Sequence, residues 1–149
     1  MNSTTLPYAK SFRELLVYQR QRQLSREVFN VSKTFPSEER FSLTDQIRRS
    51  ARSIGAQIAE SWAKRAFEQH FVSRLSDADA GQMETQHWLE TAKDDGYLSA
   101  LDYARMLGRC EKIGRMLGSM MERSSSFCGG GVLPDESARY YCAEAPTGD

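Results

Sequence analysis

Between Leu43 and Trp62 the apolar residues Leu43, Ile47, Ala51, Ile54, Ile58 and Trp62 follow one another at steps of 4, 4, 3, 4 and 4. Such spacing returns a side chain to the same helix face every turn, whereas a half-buried strand would alternate every second residue. The segment therefore reads as a helix, from about Leu43 to Lys64, with one stripe that other helices must cover. A second row on it, Ala51, Gly55, Ala59 and Ala63, places small residues at every fourth position. These either let a neighbouring helix approach closely or fill tight corners of the core.

Three more segments carry related patterns. Phe12, Leu15, Leu16, Leu24, Val28, Val31 and Phe35 predict a helix from Ser11 to about Thr34. Phe35-Pro36-Ser37 stops it, because proline cannot donate an intrahelical hydrogen bond and disfavours helical geometry in the residue before it. Phe67, Phe71, Leu75, Ala78, Met83 and Leu89 give a weaker period from Arg65 to Lys93, closed by Asp94-Asp95-Gly96 with Gly96 as the C-cap. Ser99, with Asp102 three residues on, is an N-cap for a fourth helix through Leu101, Leu107, Cys110, Ile113, Leu117 and Met120, fading after Glu122. Matched lengths and short turns predict an all-α protein, an antiparallel up-down-up-down four-helix bundle. Its organisation reads as an N-terminal extension (1–10), the bundle (11–123) and a flexible C-terminal tail (124–149) opened by serine and glycine triplets. A chain of 149 residues has room for one core.

Basic and acidic residues balance at 20 each, so the chain lacks the overall basic excess of most nucleic-acid binders. The halves differ: residues 1–65 carry 12 basic and 6 acidic side chains, and residues 66–149 carry 8 and 14. Three cysteines, Cys110, Cys128 and Cys142, fit no metal or redox spacing and read as reduced thiols. No apolar run approaches the ~20 residues of a membrane span or the core of a signal peptide, which predicts a cytoplasmic protein without membrane contact.

The chemistry-bearing residues are sparse. Glu84-x-x-His87 has the form of a di-metal bundle ligand pair, but such sites need a second pair, and the other histidine, His70, has Phe67 three residues before it. Cys110 lies on an apolar stripe, and no glycine-rich phosphate loop follows a strand. No catalytic, metal or cofactor site is expected, and the chain reads as non-enzymatic. Trp62 and Trp88 read as core or interface aromatics in preference to base-stacking platforms. Arg48, Arg49 and Arg52, with Arg22, Arg26 and Lys33 from the first helix, form a basic cluster that is either a solvated face or a phosphate-contacting surface.

The stretch Phe35-Pro36-Ser37-Glu38-Glu39-Arg40-Phe41-Ser42-Leu43-Thr44-Asp45-Gln46-Ile47-Arg48-Arg49-Ser50-Ala51, continued by Ser53-Ile54 and Gln57-Ile58-Ala59-Glu60-Ser61, closely resembles the signature of the 23S rRNA-intervening sequence protein family. The likeness extends in weaker form over roughly residues 12–121, with Gln57 and Ser61 where the family reads asparagine and glycine. The middle of the third helix also departs, at Arg74, Asp77, Ala80 and Gly81. The resemblance implies a left-handed bundle that assembles into a ring-like homopentamer with no established enzymatic activity. The chain is also similar to the accessory protein of diversity-generating retroelements, a strongly basic pentamer that binds reverse transcriptase and nucleic acid.

Together these readings predict a non-enzymatic homo-oligomeric assembly module, a pentamer by resemblance. Its partners are copies of itself and RNA, DNA or a nucleic-acid enzyme such as a reverse transcriptase. The alternative is a protein-interaction scaffold that touches no nucleic acid. Gln57, Glu60 and Trp62 are expected to be structural, with Glu60 held by an arginine of the first or second helix. Arg22, Arg26, Arg48, Arg49 and Arg52 are the interface candidates, either for nucleic acid or for Asp77, Asp79, Glu90 and Asp94 of a neighbouring subunit in a head-to-tail ring.

Overall fold

The computed structural model describes residues 9–128, and among these it contains only helices and turns. Four long helices, α1 (Leu16–Ser32), α2 (Asp45–Ala63), α3 (Glu68–Asp94) and α4 (Ala100–Glu122), are followed by a single helical turn, α5 (Ser124–Phe127). Helix α2 packs against α1 and α3, α4 packs against α3 and α1, and one hydrophobic cluster draws on all four. The ring of Phe35, after α1, lies 5.8 Å from that of Tyr97, before α4, so the α1–α2 and α3–α4 connections sit side by side.

The buried residues of α3 are Phe71, Leu75, Ala78, Gln82, Thr85, Leu89 and Ala92, an unbroken alternation of four- and three-residue steps. Helix α4 repeats it with Met106, Cys110, Ile113, Leu117 and Met120. A 3.5-residue repeat keeps one seam turned toward neighbouring helices along the whole length. This register corrects the expectation for α3, where Phe67 and Met83 are 63% and 59% exposed. The seam passes through Gln82 beside Met83, because phase and not hydrophobicity alone decides which side chain faces the core. Leu101 fails for the same reason: it lies out of phase with Met106 and is 76% exposed.

Polar residues on the seam find hydrogen-bond partners within and between helices, although Gln21 Oε1 is enclosed without one among the described residues. Ser50 and Thr85 share a hydrogen bond of 3.0 Å between α2 and α3, and Thr85 also donates to the Gly81 carbonyl at 2.8 Å. Gln82 donates to Asp79 at 2.9 Å and accepts from Gln86 at 2.7 Å. Gln21 donates to the Ala51 carbonyl across the α1–α2 interface at 3.1 Å and to Ser25 at 2.7 Å. Both buried glutamines lie over a glycine of the next helix. A Cβ at Gly55 would collide with Gln21 Oε1, and one at Gly114 would stand 2.7 Å from Gln82 Nε2. Two helix pairs thus approach closely where a side chain is missing on one partner.

The helix ends follow local chemistry. Helix α1 starts at Leu16 and not at Ser11: Ser11 caps a 3-10 turn over Phe12–Glu14, and Leu15 is extended at φ −67 and ψ 130. The break lets Leu15, Leu16 and Val17 all be buried, which three successive residues of one helix could not achieve. A π-helical turn at Arg40–Thr44 leads into α2. Gly96, at φ +80, closes α3 in a Schellman motif, its N–H bonded to Lys93 O and that of Tyr97 to Ala92 O. Ser99 caps α4 by accepting from Asp102 N at 3.0 Å.

The expected boundary at residue 123 moves outward. Helix α5 docks on α3: Ser124 donates to Glu68 at 2.6 Å, and Phe127, 1% exposed, stacks on Phe71 at 5.7 Å. A large ring so close behind α4 finds apolar surface to cover even though its flanking serines carry no periodic pattern. The rest of the predicted tail, 129–149, and most of the predicted N-terminal extension, 1–8, lie outside the described residues; Ala9 is buried against the core.

Candidate functional site

Beside the contact of Gln21 with Gly55, the surfaces of α1 and α2 diverge into an open groove of about 810 Å³. Ala56 and Ala59, which carry nothing beyond Cβ, line it, so Ala59 of the small-residue row borders open space, whereas Gly55 of the same row lies beneath the Gln21 side chain. Arg22 and Arg26, one turn apart on α1, face Arg52 of α2 across it. Phe12 and Tyr18, edge-on at 4.9 Å, stand at one end, and Phe29 stands at the other.

Phe29 gathers charge. The Arg48 guanidinium lies 4.7 Å from its ring centroid, the Lys33 ammonium 4.7 Å and the Arg52 guanidinium 5.7 Å. Each is within the ~6 Å reach of a cation–π contact. Arg48 is further held by donating Nε to Ser32 Oγ at 2.8 Å. Among the described residues, Arg22, Arg26, Lys33, Arg48 and Arg52 have no carboxylate within ion-pair distance. The fold therefore brings four of the five candidate arginines onto one face. Arg49 is separated from them: it is absent from the groove and pairs with Asp45 at 3.5 Å.

The acidic candidates of α3 are largely engaged within the chain. Asp77 lies 3.4 Å from Arg74, Asp79 accepts from Gln82 and Glu90 accepts from the Tyr103 hydroxyl at 3.3 Å, while Asp94 is exposed. Glu60 departs from its expected setting. It is exposed, and the nearby arginine is Arg74 of α3, at 3.6 Å, because its position on α2 turns it toward α3 and away from α1. Trp62 is buried, with the Arg65 guanidinium 3.7 Å over its ring. Gln57 is half-buried, and its Oε1 is enclosed without a hydrogen-bond partner among the described residues.

Two features escape a reading by spacing. Glu27 of α1 sits 3.4 Å from Arg105 and 2.9 Å from Arg109, both on α4, and so joins helices far apart in sequence. Phe29 carries a signal: it is an aromatic of α1 that falls off the apolar stripe, with Arg26 three residues before it and Lys33 four after it. Elsewhere, Glu84 accepts from Trp88 Nε1 at 3.1 Å, and His87 packs edge-on against Trp88. No three His, Cys, Asp or Glu side chains among the described residues converge as a metal site. Burial pushes the Cys110 thiol up to about 12, with Glu111 adding to the shift. Among the described residues no helix is long and apolar enough to cross a membrane.

Residues 13–119, well over half of the chain, match a protein-family model described as 23S rRNA-intervening sequence protein. A solved structure, the crystal structure of a protein of unknown function from the S23 ribosomal protein family of Bacteroides thetaiotaomicron, superimposes with a TM-score of 0.65 at 26% identity. The alignment covers 71% of this chain and 95% of that one. No curated protein matches the sequence.

Proposed function

The chain belongs to the 23S rRNA-intervening sequence protein family, and from this and the α1–α2 groove we propose that it is a non-enzymatic assembly module that contacts nucleic acid. The four long helices are an antiparallel up-down-up-down bundle, copies of which join in a homopentameric ring. The α1–α2 face meets the phosphate backbone. One observation carries the reading: Arg22, Arg26, Lys33, Arg48 and Arg52 share a face and none is neutralised by a carboxylate among the described residues. Neutral overall charge does not oppose this, since the acidic excess lies in the second half of the chain.

The competing account has the same arginines joining subunits through Asp77, Asp79, Glu90 and Asp94. Asp77 already lies 3.4 Å from Arg74, which leaves less free charge on that side for a neighbour and favours nucleic acid as the occupant. Filter binding of RNA across salt concentration tests the reading. Affinity should fall steeply with salt, and Arg22→Ala/Arg26→Ala should flatten the log–log slope by roughly 0.7–0.9 for each phosphate that is no longer neutralised. An unchanged slope would remove this face from the interaction.

A further inference from the structure

The groove has a shape that an evenly charged phosphate-binding surface would not need. Its length along α1 from Tyr18 to Phe29 is about 16 Å at the helical rise. Between long cationic and aromatic side chains it is lined by the small residues Ala56 and Ala59. Packed helices have axes only ~8–10 Å apart, so a cleft between two of them is too narrow for a double helix, whose major groove alone is ~12 Å wide. A duplex could touch only the rim. An unpaired strand can enter, and a volume of about 810 Å³ lies within the range of pockets that enclose a small organic ligand.

We propose that the α1–α2 groove is a single-strand site that admits an unpaired base: Arg22, Arg26 and Arg52 hold phosphates at the rim while the base lies against Ala56 and Ala59. Every base presents a π-face, so guanidinium planes and aromatic rings around a space kept open by small residues suit stacking without sequence choice. Phe29, with Arg48 and Arg52 over its ring, supplies one such edge, and Tyr18 supplies another. This inference rests on the nucleic-acid reading above and narrows it from any polyanion to strands with exposed bases.

Fluorescence anisotropy with three ligands of equal length, about 12 nucleotides each, tests it: single-stranded RNA, the same strand without bases, and a blunt duplex. The natural single strand should bind about tenfold or more tightly than either of the others. Ala59→Leu, which fills that space and keeps every arginine, should abolish that preference. Ala56→Leu, at an exposed position of the same groove, gives the same readout should Ala59→Leu disturb the bundle. Equal binding of all three ligands, or a preference that survives both variants, overturns the base site while leaving the phosphate contact intact. No salt-sensitive binding of any ligand overturns both.

Discussion

Glu27 and Glu60 both face arginines of another helix, yet they differ in what water can do for them. Glu27 is 23% exposed and bridges Arg105 and Arg109, so removing its charge leaves Arg109 unpaired at a half-covered interface, while Arg105 keeps Asp102 at 2.9 Å. Glu60 is 53% exposed and its contact with Arg74 is long. Urea unfolding should therefore show Glu27→Gln destabilised by about 1–2 kcal/mol and Glu60→Gln within about 0.5 kcal/mol of the parent. Equal effects would mean that burial does not separate the two pairs. Cys110 offers a second residue-level check. Burial raises its thiol to about 12, so its contribution to folding is complete below the unfolded thiol value of about 8.5 and is lost as pH rises from there through 12. In a Cys142→Ser background near pH ~8, an alkylating reagent should modify half-buried Cys128 slowly and reach Cys110 only after denaturant is added. Ready labelling of Cys110 in the folded protein would contradict its place on the seam.

At the scale of elements, legibility tracked how far each helix declares its phase in apolar residues. Helix α2 does so from Ile47 to Ile58, and the end of α3 is written in Gly96, whose positive φ the backbone requires. The seam of α3 is harder to read because Gln82 and Thr85 occupy two of its seven buried positions, and the nearest apolar residue, Met83, points outward. Hydrogen bonds within α3 satisfy much of their polarity, and the facing Gly114 and Ser50, a fact of tertiary packing, give them room and a partner across the interface. Helix α5 was invisible for another reason: one ring, Phe127, anchors it, and a single residue has no period. The same ring makes it consequential. A chain ending after Arg123 should lose roughly 3–5 kcal/mol, measured as a fall in urea midpoint, relative to a chain ending after Cys128. Matching midpoints would show that α5 does not contribute to the folded state.

For the whole molecule, the division of charge between the two halves of the chain takes on spatial meaning. The cations of α1 and α2 converge on one groove, whereas three of the four acidic candidates on α3 are drawn into contacts of their own. The sequence displayed the arginines but not how the faces of the two helices meet. Helical phase puts Arg22 with Arg26 and Arg48 with Arg52, each pair one turn apart, and leaves Arg49 about 100° round the helix. Only the packing of α1 on α2 brings the two pairs together. Exposed ion pairs contribute only ~0–1 kcal/mol each, so a ring of copies has to rest on apolar burial, and charge reversal in the groove should spare it. Light scattering on the parent and on Arg22→Glu/Arg26→Glu, each with and without saturating single-stranded RNA, tests this most directly. The account predicts one oligomer mass for both proteins, with a gain in mass on adding RNA for the parent only. A variant that falls to monomers at unchanged helicity, or that gains RNA as the parent does, would contradict it.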